Sequence, residues 1–156
     1  MAAKNKSVFE FSPALESAGH IQLKDQYELF INGKWTKPKS GKYFKTTNPS
    51  NEKVIAKVAE ANEADVDAAV SAAEKAFKGW SSISGKERGK YLFRLARLIQ
   101  EKARELSVIE TLDGGKPIRE SRDIDIPLAA AHFFYHAGWA DKLEYAFPNR
   151  KTEPLG

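Results

Sequence analysis

The sequence predicts an α+β domain in which a β unit precedes a set of helices. Three observations lead there. Asn32-Gly33 separates two short β-prone runs. The apolar period changes from near two to near 3.6 at about Asn62. The helical pattern beyond it is interrupted at Asp113-Gly114-Gly115 and resumes after Lys116-Pro117. The predicted order is an N-terminal arm over 1–26, antiparallel strands over 27–61 and three helices over 63–142.

The arm is polar and weakly periodic. In YELFINGKWTK (27–37), Asn-Gly supplies the two positive-φ positions of a type I′ hairpin turn. KYFKTTNPS (42–50) reads as a strand ended by Asn48-Pro49. EKVIAKVAEA (52–61) alternates, with Val54, Ala56 and Val58 on one face of a half-buried strand. Asn62 can cap the first helix, whose opening turn carries Glu63 and Asp65, where the helix dipole favours acids. Its apolar stripe is Val66, Val70, Ala73 and Phe77. Ser84 and Glu87 suggest a capping box for the second helix, which runs to about Leu112 with Leu92, Leu95, Ile99, Ala103, Leu106 and Ile109 on one face. Gly114 follows as the residue expected to take a left-handed backbone past the helix end. A third helix covers about 118–143, and Pro127 inside it predicts a kink or break near Asp123–Ile126. Short extended pieces are expected from 144 onward.

At 156 residues the chain is one domain or a piece of one. Hydrophobic residues make up 42% and charged residues 29%, an ordinary globular balance. No apolar run approaches the ~20 residues that span a bilayer, and the first residues lack the apolar region of a secretory leader. A cytoplasmic location is therefore expected by default. The absence of cysteine excludes disulfides, thiolate metal sites and thiolate catalysis by this chain alone. The net charge is +4, but the signs alternate and no basic patch carries interleaved aromatics, so nucleic acid is not an expected partner.

Candidate chemistry is sparse. His132 and His136 are one helical turn apart, a zinc-compatible spacing, yet HFFYH has no intervening acid. Histidines packed beside Phe133, Phe134 and Tyr135 are the better reading. Asp123 and Asp125 would diverge on a helix, which weakens them as an acid/base dyad. Lys86, Lys90, Arg94 and Arg97 read as a solvated face. No dinucleotide G-x-G-x-x-G, phosphate-loop or nucleophile-elbow motif is present. The residues alone show no active site.

Several stretches, in order and spacing, resemble the NAD(P)-dependent aldehyde dehydrogenases: LFINGKWTK, TTNPSNEKVIAKVAEA, DVDAAVSAAEKAF, GKERGKYLFRLARLIQEKARELSVIETLDGGKP and FYHAGWADK. ETLDGGKP together with AGWADK is the most specific part, and DIDIPLAAAHFFYHAGWADKLEYAFP looks closest to a bacterial subgroup. The resemblance covers nearly everything after residue 27. It implies part of the α/β cofactor-binding domain of that family. It also implies that the oxyanion-binding asparagine, the glycine-rich cofactor loop, the general-base glutamate and the nucleophilic cysteine lie beyond Gly156.

The implied function is oxidation of an aldehyde to a carboxylic acid with NAD or NADP, by the complete enzyme. This chain alone is expected to bind no cofactor and to contribute no catalytic residue. The resemblance further implies that the helices pack around the cofactor-binding sheet. It places Leu128 and His132 on the wall of the aldehyde entrance tunnel. It makes 143–156 the start of the oligomerisation arm, with 143–155 contacting other dehydrogenase subunits. It carries a monovalent cation to Thr46, Thr47 and Asp113, against the plainer reading of a capped turn. The alternative to an enzyme segment is a non-catalytic module that binds a partner through the arm.

Overall fold

The computed structural model describes Gly19 and residues 21–148. Five strands come first: β1 (Gln26–Tyr27), β2 (Leu29–Ile31), β3 (Lys34–Thr36), β4 (Tyr43–Thr47) and β5 (Val54–Ala59). The helices follow: α1 (Glu63–Ser82), α2 (Gly85–Glu101), α3 (Ala103–Gly114), α4 (Ile118–Glu120), a π-helical turn (Ser121–Asp125), α5 (Ile126–Trp139) and α6 (Leu143–Ala146). The α+β order of strands followed by helices holds.

β2 and β3 form the hairpin, closed by the Ile31–Lys34 pair. Asn32 and Gly33 have φ of 53° and 74°, as a type I′ turn requires. Phe30 lies opposite Trp35, with ring centroids 5.0 Å apart. The other sheet has the order β1-β5-β4. Here the all-antiparallel expectation fails, because β1 pairs with β5 in parallel. A two-residue strand carries no readable period, and its partner is some thirty positions away. Burial on β5 also departs from simple alternation. Ala56 is buried as expected, but Val54 is exposed and Ala59 is buried on the opposite face.

Asn62 caps α1 through a complete capping box. Its side chain accepts from Asp65 N at 3.1 Å, and its own N–H donates to Asp65 Oδ2 at 3.1 Å. The same carboxylate accepts Lys39 N at 3.1 and 3.2 Å, so the buried Asp65 is satisfied by backbone amides on both sides. The box expected at Ser84 is half formed: Ser84 Oγ accepts Glu87 N, while the Glu87 carboxylate takes Lys90 Nζ at 2.6 Å.

The second helix is not continuous to Leu112. It breaks at Lys102, whose φ of −99° and ψ of 9° leave the helical region. No glycine or proline stands there. α2 packs along α5 whereas α3 packs on the π-helical turn, so the two halves follow different partners. The α2–α5 approach is made on small residues. A Cβ on Gly89 would lie 2.9 Å from the Ala137 carbonyl oxygen. Ala96 and Ala130 are fully buried, and the Phe93 and Phe134 rings meet at 5.0 Å. The predicted apolar stripe is covered only in part: Leu92, Ile99, Ala103, Leu106 and Ile109 are half-buried. Leu95 stays 40% exposed, as do Val66, Val70 and Phe77 of α1 at 55%, 52% and 57%.

α3 ends on Gly114, and the left-handed residue is Gly115 (φ 71°), one position later than expected. Both candidates are glycine, so sequence alone did not separate them. Pro127 produces the break foreseen near 123–126 as a π-helical turn, with Ile126 N donating to Ser121 O. The wide turn carries the chain past the proline, which has no N–H to donate. The stretch read as extended after 143 begins instead as the single-turn α6. Residues 149–155 of the expected arm, and most of the 1–26 arm, lie outside the described residues.

Two predictions follow from this geometry. An added Cβ at Gly115 would sit 3.1 Å from Pro49 Cγ on a positive-φ backbone, whereas at Gly114 its nearest neighbour is Glu110 Oε1 at 3.6 Å. Gly115→Ala should therefore cost about 1 kcal/mol or more, and Gly114→Ala should leave the urea midpoint unchanged or raise it. Equal effects would remove the assignment of the cap. Second, Tyr43 Oη donates to Glu28 Oε2 at 2.7 Å. That bond holds the Tyr43 phenol up to about 12 and lowers the Glu28 carboxyl. The raised phenol adds stability below pH ~10 that is lost as the pH rises through the folded value of about 12. The lowered carboxyl adds stability above its ordinary range that is lost on acidification. Ultraviolet titration at alkaline pH should show one late tyrosine, which Glu28→Gln returns toward the other tyrosines.

Candidate functional site

Several polar side chains meet at the corner where the β4–β5 turn reaches the end of α3. Thr46, on β4, donates its hydroxyl to Asp113 Oδ1, in the last turn of α3. Gly115 then passes Pro49 in the turn. Of the residues expected around a cation, the fold brings Thr46 and Asp113 together. Thr47, beyond a β-bulge, takes no part in that bond. Behind the corner is a cavity of about 290 Å³, lined by Phe44, Ile55, Ile109 and Leu112 with Asp113 at its edge.

Lys116 extends the corner toward the π-helical turn. Its Nζ lies 2.5 Å from Asp125 Oδ2 and 3.8 Å from Glu110 Oε1. The bond to Asp125 raises the lysine above its ordinary range, and Glu110 adds to it. Asp123 is held separately by Arg122 at 2.6 and 2.8 Å, which lowers its carboxyl. The two aspartates thus diverge to different cations and form no acid/base dyad. Sequence reading passed over a hydroxyl cluster here. Ser121 is fully buried, Thr111 Oγ1 lies 3.2 Å from its Oγ, and Ser107 Oγ lies 3.5 Å from its carbonyl oxygen and 2.7 Å from that of Ala103. The available signal was Ser107 and Thr111 one turn apart on the inward side of α3.

Leu128 and His132 stand one turn apart on α5 and share an exposed face. His136 continues that face, its ring 5.3 Å from Tyr135. Both histidines are exposed, but His136 meets Tyr135 edge-on as expected of a histidine beside these aromatics, and Phe134 packs against Phe93. Among the described residues no group of three or more His, Cys, Asp or Glu is set to hold a metal. Lys86, Lys90, Arg94 and Arg97 are exposed as expected. No G-x-G-x-x-G motif occurs in the sequence. Among the described residues no helix is long and apolar enough to cross a membrane.

Residues 35–154 match the family model described as the aldehyde dehydrogenase family. An aldehyde dehydrogenase of Alternaria alternata is 46% identical over 137 residues, covering 82% of this chain and 28% of that protein. A mitochondrial aldehyde dehydrogenase of Leishmania tarentolae is 42% identical, covering 88% and 27%. Among solved structures, PnpE in complex with nicotinamide adenine dinucleotide superposes with a TM-score of 0.73 at 42% identity, covering 75% of this chain and 24% of that one. A Bacillus cereus aldehyde dehydrogenase, the G224D mutant, gives 0.76 at 37% identity over 95% and 29%. The chain spans little more than a quarter of the length of the curated relatives it matches. With sequence and fold agreeing across most of its length, this chain belongs to the aldehyde dehydrogenase family.

Proposed function

We propose that this chain is the N-terminal scaffold segment of an enzyme that oxidises an aldehyde to a carboxylic acid with NAD or NADP. The observation that carries the reading is the family match over 35–154, joined to a fold whose helices leave their apolar faces exposed. In the complete enzyme those faces cover the cofactor-binding sheet. Leu128 and His132, sharing the exposed face of α5, border the aldehyde's path. The segment 143–155 meets neighbouring subunits of an oligomer, in the cytoplasm. A monovalent cation at the Thr46–Asp113 corner, with Thr47 nearby, belongs to the same reading.

The chemistry lies elsewhere. A thiohemiacetal requires a thiolate, and this chain has no cysteine. The second reading is a non-catalytic module that binds a dehydrogenase subunit, and the same exposed helix faces favour it.

Purified 1–156 should give no aldehyde-dependent reduction of NAD or NADP above a boiled control. Reproducible turnover, with full-length enzyme excluded as a contaminant, would overturn the scaffold reading. The exposed faces yield a further expectation. Burial of apolar surface is worth roughly 25 cal/mol per Å², so a patch above a few hundred Å² drives association. The isolated chain should scatter light as an oligomer or aggregate at micromolar concentration and bind hydrophobic dyes. A compact monomer with sharp near-ultraviolet aromatic signals would instead favour the self-sufficient module.

A further inference from the structure

We propose that the cleft between the β2–β3 hairpin and α1 binds a small organic phosphate monoester, with the phosphate held by Lys34 and Lys75. The cleft encloses about 430 Å³, within the ~300–1,000 Å³ of small-molecule sites. Its cations and hydroxyls come in pairs, one pair from each element. Lys34 and Thr36 are two apart on β3, so both side chains stand on one face of the strand. Ser71 and Lys75 are one turn apart on α1. All four line the cleft, and Asn32 joins them from the hairpin turn. The same α1 wall carries Ala68 and Ala72, whose short side chains leave room for a ligand. The four polar side chains are exposed, so a ligand enters without rearrangement.

The charge in this cleft is uncompensated. No carboxylate lines it; Asp67 and Glu74, the acids beside these residues along α1, are not among its walls. Among the described residues Lys34 and Lys75 form no ion pair, whereas Lys90, Lys102, Lys116 and Lys142 each do. A phosphate monoester carries a charge of about −1.5 to −2 at neutral pH and three acceptor oxygens. Two ammonium groups match that charge, and the two hydroxyls supply further donors to the oxygens. A carboxylate would leave one ammonium unmatched.

The organic part has a place beside the phosphate. Ile31, Asn32 and Ala72 also line a second cavity, of about 340 Å³. Its other walls include Phe30, Ala69, Ala73 and Ala76, and none of its lining side chains is charged. The two cavities adjoin through the shared residues, one polar through the lysines and the other apolar through Phe30 and the alanines. A ligand with a phosphate at one end and an apolar body at the other spans both.

Equilibrium dialysis of the whole chain against phenyl phosphate at low ionic strength tests this, and it reads binding whether or not the chain self-associates. The expected Kd is about 1 mM or tighter. Lys34→Ala and Lys75→Ala should each weaken binding about tenfold, while Lys53→Ala, in the β4–β5 turn, should leave it unchanged. Ala73→Leu fills the apolar cavity and should weaken phenyl phosphate without changing the affinity for inorganic phosphate. Benzoate, with the same ring and a single charge, should bind about tenfold more weakly. Absence of binding, or equal affinity for benzoate or inorganic phosphate, would overturn the proposal. So would an equal loss from Lys53→Ala and the two cleft variants, because the lysines would then act only through net charge.

Discussion

The left-handed backbone of Gly115, pressed against Pro49, is the constraint on which the arrangement of strands and helices depends. It ends α3 where the β4–β5 turn stands in the way. Within the four residues Asp113–Lys116 the chain then contacts the sheet through Thr46, the turn through Pro49 and the π-helical turn through Asp125. The Thr46–Asp113 bond alone joins positions 67 residues apart. Ion pairs within one helix, such as Lys90–Glu87 and Arg97–Glu101, are worth about 0.3–0.5 kcal/mol each. They form in any exposed helix of that sequence, so they cannot select a topology. The corner can, because a helix continued past Gly115 would lose the close approach to Pro49 and the placement of Lys116 beside Asp125.

The interior is built from small side chains. Ala56, Ala59, Ala96, Val108 and Ala130 are the buried apolar residues among those described, while Phe77, Trp80, Tyr91 and Phe93 are exposed. Small residues let backbones approach, as Gly89 does against Ala137, but they remove little apolar area from water. Aromatic pairs between elements, Trp80 with Tyr91 and Phe93 with Phe134, recover part of that deficit. Many of the large apolar side chains thus remain outward, including Phe77, Trp80, Tyr91 and Phe93.

Signals local to a few residues were legible in the sequence. Asn32-Gly33 marked its hairpin because only a narrow set of residues accepts two positive φ values in succession. Asn62 marked the start of α1, and Pro127 marked the disturbance before α5. Features decided by distant partners were not. The parallel pairing of β1 with β5, the break at Lys102 and the clamp on Ser121 each depend on a second element whose position no window of sequence contains. Periodicity marked the stripe Val66, Val70 and Phe77 as apolar but reports a face and not what lies against it; its exposure was expected only because the family resemblance leaves the sheet it would cover outside this chain. At the site, Thr46 and Asp113 came from family resemblance. The role of Lys116 became visible only once the π-helical turn had placed Asp125.

The π-helical turn at Ser121–Asp125 also bears on how the chain tolerates change in length. A π turn holds one residue more than the α turn it replaces, and amounts to an insertion absorbed without breaking the helix. Each residue of an α-helix rotates the chain by about 100°. A residue lost from 121–125 can therefore be taken up by reversion of the wide turn to an α turn, whereas one lost within α5 ahead of Leu128 would rotate Leu128 and His132 together by that angle. The five-residue turn thus buffers the surface presented by α5 against a change of one residue in its own length.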